Sequence, residues 1–208
     1  YYTKAKENGY EIWPVITNGI DSVNYDPEET SMMLNSEYAR ECFIKNLLEI
    51  CTENNLDGIN MDFESMKTED RDVYTQLIKE MSPIFRNNGI KVSVDTYFVE
   101  YIDRKNVGAA CDYIILMGYD HRGSWSSVSG PIAEIPWVES NIDSLINDSE
   151  IPSSKIILGI PFYTRLWIEK ENEDKPSTKV YTMQDCIDFM EEYGLTSSFD
   201  EESGQNYV

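Results

Sequence analysis

The chain has 208 residues, 41% of them hydrophobic, and a formal charge of −21 from 38 acidic and 17 basic side chains. That length and apolar content suit a folded globular domain with a sizeable core. The acidic balance argues against nucleic-acid binding, which needs clustered Lys and Arg, and no apolar run approaches the roughly 20 residues of a membrane span.

In chain order, "YYTKAKENGYE" reads as a helix. "EIWPVIT" (11–17) reads as a strand, and 36–54 as an amphipathic helix with Ser36 as N-cap. "GINMDF" (58–63) is the next strand, followed by a helix over 68–87 with Thr68 as cap and "NNG" (87–89) as its stop. "KVSVDTYF" (91–98) and "YIILMGY" (113–119) are the third and fourth strands. The Gly/Ser-rich loop "DHRGSWSSVSGP" leads to a helix over 136–147, and "KIILGIPFY" (155–163) is the fifth strand. A charged loop (169–179) and a helix over 183–193 complete the pattern. Cys42, Cys51, Cys111 and Cys186 form no CxxC pair and read as buried thiols, and a lone His121 argues against a His-based zinc site.

Strands alternating with helices imply parallel β-α units, either a doubly wound sheet or part of a (β/α)8 barrel. The strand faces choose between them. Ile59, Met61 and Phe63 alternate with Asn60, Asp62 and Glu64, and Val92 and Val94 with Ser93, Asp95 and Tyr97. A doubly wound sheet is apolar on both faces, whereas one polar face suits a TIM barrel whose interior opens into a site at the strands' C-terminal ends. Five strands are short of eight, so 1–208 is expected to be one partial α/β barrel domain carrying about strands three to seven.

Asp62 and Glu64 share a face about 6.5–7 Å apart at Cβ. Each discourages ionisation of the other, and together with partial burial this tends to keep one protonated, as a general acid requires. The spacing alone leaves a structural acidic pair or a divalent-metal site open. Asp57 has the opposite parity from Glu64 and reads as hydrogen-bonding support for the strand.

"DGINMDFE" (57–64) resembles the Asp-x-x-Asp-x-Asp-x-Glu signature of glycoside hydrolase family 18, with Asn60 in place of the second Asp. "LMGYD" (116–120) is similar to the family's Met-x-Tyr-Asp, and "LGIPFYTRLW" (158–167) to its Gly-x-Pro-x-Tyr-Gly-Arg, with Thr164 for Gly. The three segments occur in the family's order.

The resemblance implies a (β/α)8 barrel and retaining hydrolysis of a β-1,4 bond next to N-acetylglucosamine. In that scheme the substrate's 2-acetamido oxygen is the nucleophile, an exception to the two-carboxylate scheme. Glu64 would be the acid, Asp62 would orient the acetamido N–H, and Tyr119 would hydrogen-bond its carbonyl oxygen. Asp120, Tyr163 and Arg165 would contact the substrate, although an exposed Arg paired with an acid is an equal reading of Arg165, and Met117, Asn60, Asp95 and Tyr97, by their inward face, would line its site. No cofactor or metal is implied; the partner is a polysaccharide containing N-acetylglucosamine.

At position 60 an amide can donate to Asp62 but cannot take up its charge, so Asp62 is expected to be more persistently ionised. Asn60, together with Phe63 where chitinases commonly have Trp, resembles the spore-cortex and cell-wall branch. This favours peptidoglycan over chitin and places the protein outside the cell, in the wall or spore envelope. The alternatives are a chitinase and a non-catalytic chitinase-like lectin; such lectins usually lack the acid, and Glu64 is present. A hydrolase using Asp57, Asp62 and Glu64 as metal ligands is disfavoured by their mixed parity.

Overall fold

The computed structural model describes residues 1–21 and 24–208; the side chains of Ile20 and Asp21 are not described. The chain begins with α1 (Tyr2–Glu7), β1 (Val15–Thr17), β2 (Gly19–Asp21), β3 (Asn24–Tyr25), α2 (Pro27–Leu34), α3 (Glu37–Glu53) and β4 (Gly58–Asp62). It continues with α4 (Arg71–Asn87), β5 (Lys91–Thr96), α5 (Arg104–Ala110), β6 (Tyr113–Met117), α6 (Ile135–Asn147) and β7 (Ile156–Gly159). Last come β8 (Tyr163–Ile168), β9 (Ser177–Thr182), α7 (Met183–Tyr193), β10 (Ser198–Asp200) and β11 (Gln205–Tyr207). Two compact units result. The first comprises Tyr1–Leu116 with Leu145–Ile157, and the second Met117–Ser144 with Leu158–Val208.

The expected five strands form one sheet in the order β1-β4-β5-β6-β7, and β1/β4, β4/β5 and β5/β6 pair in parallel. The apolar face is where the alternation put it. Ile59, Met61, Val92, Val94, Ile114 and Leu116 are fully buried, as are Tyr74, Leu77, Ile78, Met81 and Phe85 of α4. Phe63 stacks on Tyr74 at 5.6 Å and meets Phe43 of α3 edge-on at 6.2 Å, so aromatic packing anchors the strand end that carries the acids.

Local chemistry sets the helix ends. The Ser36 side chain accepts from Ala39 N, capping α3. Arg40 of α3 donates through Nε and Nη2 to the Glu80 carboxylate of α4 at 2.9 and 3.0 Å, a two-pronged pair tying the two helices together. Thr68 does not cap α4: residues 68–70 form a separate 3₁₀ turn and the helix starts at Arg71. Asp57 supports the strand as its parity suggested. Its Oδ2 accepts from Ile12 N at 2.8 Å and from Lys6 Nζ at 2.5 Å, and the Lys6 bond holds its carboxyl below the usual range. Gly58 is required by close approach, since a Cβ there would lie 2.4 Å from the Trp13 ring.

Three expectations need correction. The fifth strand stops at Gly159, because Pro161 cannot donate to a ladder. Tyr163 and Arg165 therefore belong to β8, which pairs antiparallel with β9 in register Tyr163↔Thr182 to Ile168↔Ser177. The charged loop accordingly ends before Ser177. Cys42 and Cys186 are only half-buried; Cys51 and Cys111 are buried, and all four thiols are free.

In the second unit α7 spans the expected residues. Thr182 and Asp185 form a reciprocal capping box, and Gly194 at φ 63° ends the helix. Sequence reading missed the β2/β3 and β10/β11 hairpins and α2, although "DPEE" advertises α2: Asp26 caps Glu28 N and Glu29 N with Pro27 in the first turn. Among the described residues no helix is long and apolar enough to cross a membrane.

Candidate active site

The first unit gathers Asn60, Asp62, Glu64, Asp95 and Tyr97 at the C-terminal ends of β4 and β5. The backbone of Glu64, just past β4, is gripped by Asn18: Glu64 N donates to Asn18 Oδ1 at 2.9 Å, and Asn18 Nδ2 donates to Glu64 O at 2.8 Å. The next residue, Ser65, sits at φ 52°, where the chain turns out of the strand. Ser65 N donates to Tyr101 Oη at 3.2 Å, and the Tyr101 hydroxyl is in short contact with that of Tyr97. The Glu64 side chain accepts at Oε1 from Tyr25 Oη at 2.7 Å.

Asn18, Tyr25 and Tyr101 were not singled out from the sequence. They come from a loop, a two-residue strand and a turn, and only the fold brings them to Glu64. The Tyr25 and Tyr101 hydroxyls are both pushed up, chiefly by burial, so they stay protonated and able to donate.

Asp62 and Asp95 have the most distinctive electrostatics. Burial, followed by the charge of Glu64, raises the Asp62 carboxyl. Burial raises Asp95 to about 7 with help from Asp62 and Glu64, and the Asn60 bond opposes that rise. Two expectations fail here. Asn60 Nδ2 donates to Asp95 Oδ2 at 2.7 Å rather than to Asp62, while its own Oδ1 accepts from Ser93 Oγ at 2.7 Å. Asp62, instead of being held ionised, is shifted toward the protonated form. The physical reason is that Asn60 is turned to the neighbouring strand, leaving Asp62 with burial and like charge.

The second unit carries Met117, Tyr119, Asp120, Tyr163 and Arg165. Met117 closes β6. Gly118 N donates to Gly159 O at 3.0 Å, and a Cβ at Gly118 would lie 2.6 Å from Leu158 Cδ1, which explains the glycine of "LMGYD". Asp120 adopts φ 56° and its Oδ1 accepts from Arg165 Nη2 at 3.1 Å. That pair is not the exposed one the sequence allowed, since the Arg165 side chain is only 11% exposed. Its guanidinium lies 6.0 Å from the Trp125 ring centroid. Tyr163 meets Tyr119 edge-on at 6.3 Å, and its hydroxyl is pushed up by burial and by Asp120.

Among the described residues no group of three His, Cys, Asp or Glu side chains is placed to hold a metal ion. Residues 3–208 match the family model of Glycosyl hydrolases family 18. The chain belongs to that family. An uncharacterized glycosylase, YvbX of Bacillus subtilis, is 28% identical over 181 residues, covering 81% of this chain and 52% of that protein. The cortical fragment-lytic enzyme of Bacillus anthracis is 25% identical over 197 residues, covering 89% and 44%. The crystal structure of a sporulation-specific glycosylase described as putative, YdhD of B. subtilis, superposes with a TM-score of 0.88 at 21% identity, covering 98% of this chain and 68% of that one. This family 18 chain thus has a TIM-barrel-like α/β fold and spans about half the length, or less, of these two sequence relatives.

Proposed function

We propose that residues 1–208 belong to one family 18 catalytic domain, its five parallel strands being part of a (β/α)8 barrel. We further propose that it is a retaining glycoside hydrolase cleaving β-1,4 bonds next to N-acetylglucosamine, with peptidoglycan of the cell wall or spore cortex as substrate, outside the cell. The observation that carries this reading is the state of Glu64. It is present at the family's acid position, locked by Asn18 and Tyr25, and sits two residues from a half-buried Asp62.

In this reading Glu64 protonates the leaving oxygen while the substrate's acetamide oxygen attacks the anomeric carbon. Asp62 accepts from the acetamide N–H and stabilises the positive oxazolinium, and Tyr119, at its motif position, donates to the acetamide oxygen. Glu64 then removes a proton from the water that opens the intermediate, and the configuration is retained. Asp120, Arg165, Tyr163, Met117, Asp95, Asn60 and Tyr97 contribute substrate contacts or support them. The preference for peptidoglycan rests on Asn60 and Phe63, and it is supported by the cortical fragment-lytic relative.

Spore-cortex fragments and chitin oligosaccharides, offered in parallel to the full-length protein, test this. The expected result is cleavage of cortex fragments with the β-anomer formed first, read by proton NMR before mutarotation. Cleavage of chitin alone would move the substrate to the chitinase reading, and binding without turnover of either would make the protein a lectin. Within the same assay, Tyr25→Phe removes the 2.7 Å bond to Glu64. It is expected to lower kcat about 10-fold with KM little changed, the effect of one charge-assisted hydrogen bond.

A further inference from the structure

The inward face of the sheet carries a row of side chains set by its parallel register. Thr17 lies beside Asp62, and Asp95 beside Ile115. Between β4 and β5 the pairs run Asn60↔Ser93 and Met61↔Val94, so the next step in register brings Asp62 alongside Asp95. Neighbouring parallel strands lie about 4.8 Å apart, which puts the two carboxyl groups within reach of each other.

Their hydrogen bonding is incomplete in a matching way. Asp95 Oδ2 is taken by Asn60 Nδ2, leaving Asp95 Oδ1 buried with no partner among the described residues; Asp62 Oδ1 is likewise buried without one. The groups facing them are like-charged or neutral. Glu64 is on the same face as Asp62, Tyr97 continues the face of Asp95, Tyr101 bonds Tyr97, and Tyr74 of α4 acts on both from beneath. Two half-buried carboxyls so placed, each with one buried unpaired oxygen, cannot both ionise easily, whereas one proton between them satisfies both free oxygens.

We propose that Asp62 and Asp95 hold one proton between them, and that Asp95 is the positioning residue that takes this proton when Asp62 must carry full charge beside the oxazolinium. This rests on the hydrolase reading for its catalytic part. In the step, the O–H bond on Asp62 breaks, an O–H bond forms on Asp95 Oδ1, and the negative charge passes from Asp95 to Asp62; the proton returns when water opens the intermediate. No outside proton donor is needed. Asn60, unable to take a charge itself, fixes Asp95 by donating to Oδ2 and so directs Oδ1 as the receiving atom. The proton-sharing partner therefore lies on β5 and not at position 60, where the family pattern has its second Asp.

Two measurements test this. The first uses the resting full-length protein without substrate: carbon-13 NMR titration of the Asp side-chain carboxyls. The Asp62 and Asp95 signals are each expected to show two inflections, the mark of a coupled pair. The coupling should persist in Glu64→Gln and collapse to a single, lower step for Asp62 in Asp95→Asn. Independent single steps in the wild type would overturn the pair, whether or not any variant folds.

The second is the pH dependence of kcat/KM on whichever glycan is cleaved. Asp95→Asn is expected to lower kcat about 10- to 100-fold, leave KM nearly unchanged and remove one inflection. The double variant Asn60→Asp/Asp95→Asn, which returns an acid to the family's position, should recover part of the rate and the lost inflection. An unchanged profile in Asp95→Asn would overturn the catalytic role. If no glycan is cleaved but the titrations are coupled, the hydrolase reading falls, and the proton transfer with it, while the shared proton stands.

Discussion

Replacing Glu64 by Gln is expected to lower kcat by about 10²- to 10⁴-fold, the usual worth of a positioned general acid, while leaving glycan affinity within about threefold of the wild type. The amide keeps the size of the side chain and can still accept from Tyr25 Oη, now 2.7 Å from Oε1. The backbone clamp by Asn18 uses only main-chain atoms of Glu64 and survives the change. What disappears is the transferable proton. The comparison therefore isolates chemistry from binding: calorimetric titration with an oligosaccharide gives affinity, and turnover of the same ligand gives rate. A lectin would show equal affinity and no turnover in either protein. Parallel loss of affinity and rate would instead mean that Glu64 is a binding group and that the acid is elsewhere.

How far the sequence discloses such a site depends on the range of the interactions that build it. The parity of "GINMDFE" is local, and it located both the buried face of Ile59, Met61 and Phe63 and the opposite face of Asn60, Asp62 and Glu64. The support role of Asp57 followed from the same parity, although its partners Lys6 and Ile12 lie about fifty residues away and could not be named. Capping at Ser36 and the stop at "NNG" (87–89) were legible because each is written within four residues. The bond from Asn60 to Asp95 was not, since it spans 35 residues and depends on which strand lies beside β4. The sequence did place Asp95 on the inward face; it could not show that register sets Asp95 beside Asp62. Tyr25 left no signal, as its two-residue strand has no pattern to read. The break after Gly159 was legible in principle from Pro161, but the apolar run "IILGIPFY" masked it.

Stability should carry the same electrostatic imprint, with a sign opposite to that of most carboxylates. An Asp whose pKa rises from 3.8 to about 7 in the folded state binds its proton more tightly there than in the unfolded chain. Between those values the folded state holds more protons, so stability falls as pH rises through the window and levels off above it. Full ionisation of such a group costs the folded state up to about 4 kcal/mol. Asp62, also raised, adds to the fall in the same direction. A chain of net charge −21 also loses stability with rising pH through general self-repulsion, so the wild-type curve alone cannot isolate the site. The difference from Asp95→Asn can. At pH 4 the wild-type Asp95 is protonated and nearly isosteric with Asn, and urea denaturation should place the two proteins within about 0.5 kcal/mol. At pH 8.5 the variant should be the more stable by on the order of 2–4 kcal/mol, because it has no buried charge to carry. A difference that stays constant from pH 4 to 8.5 would mean that Asp95 ionises as freely in the folded protein as in the unfolded chain. Gain of stability at high pH alongside loss of turnover would show the cost of ionisation and the catalytic use of the proton at the same residue.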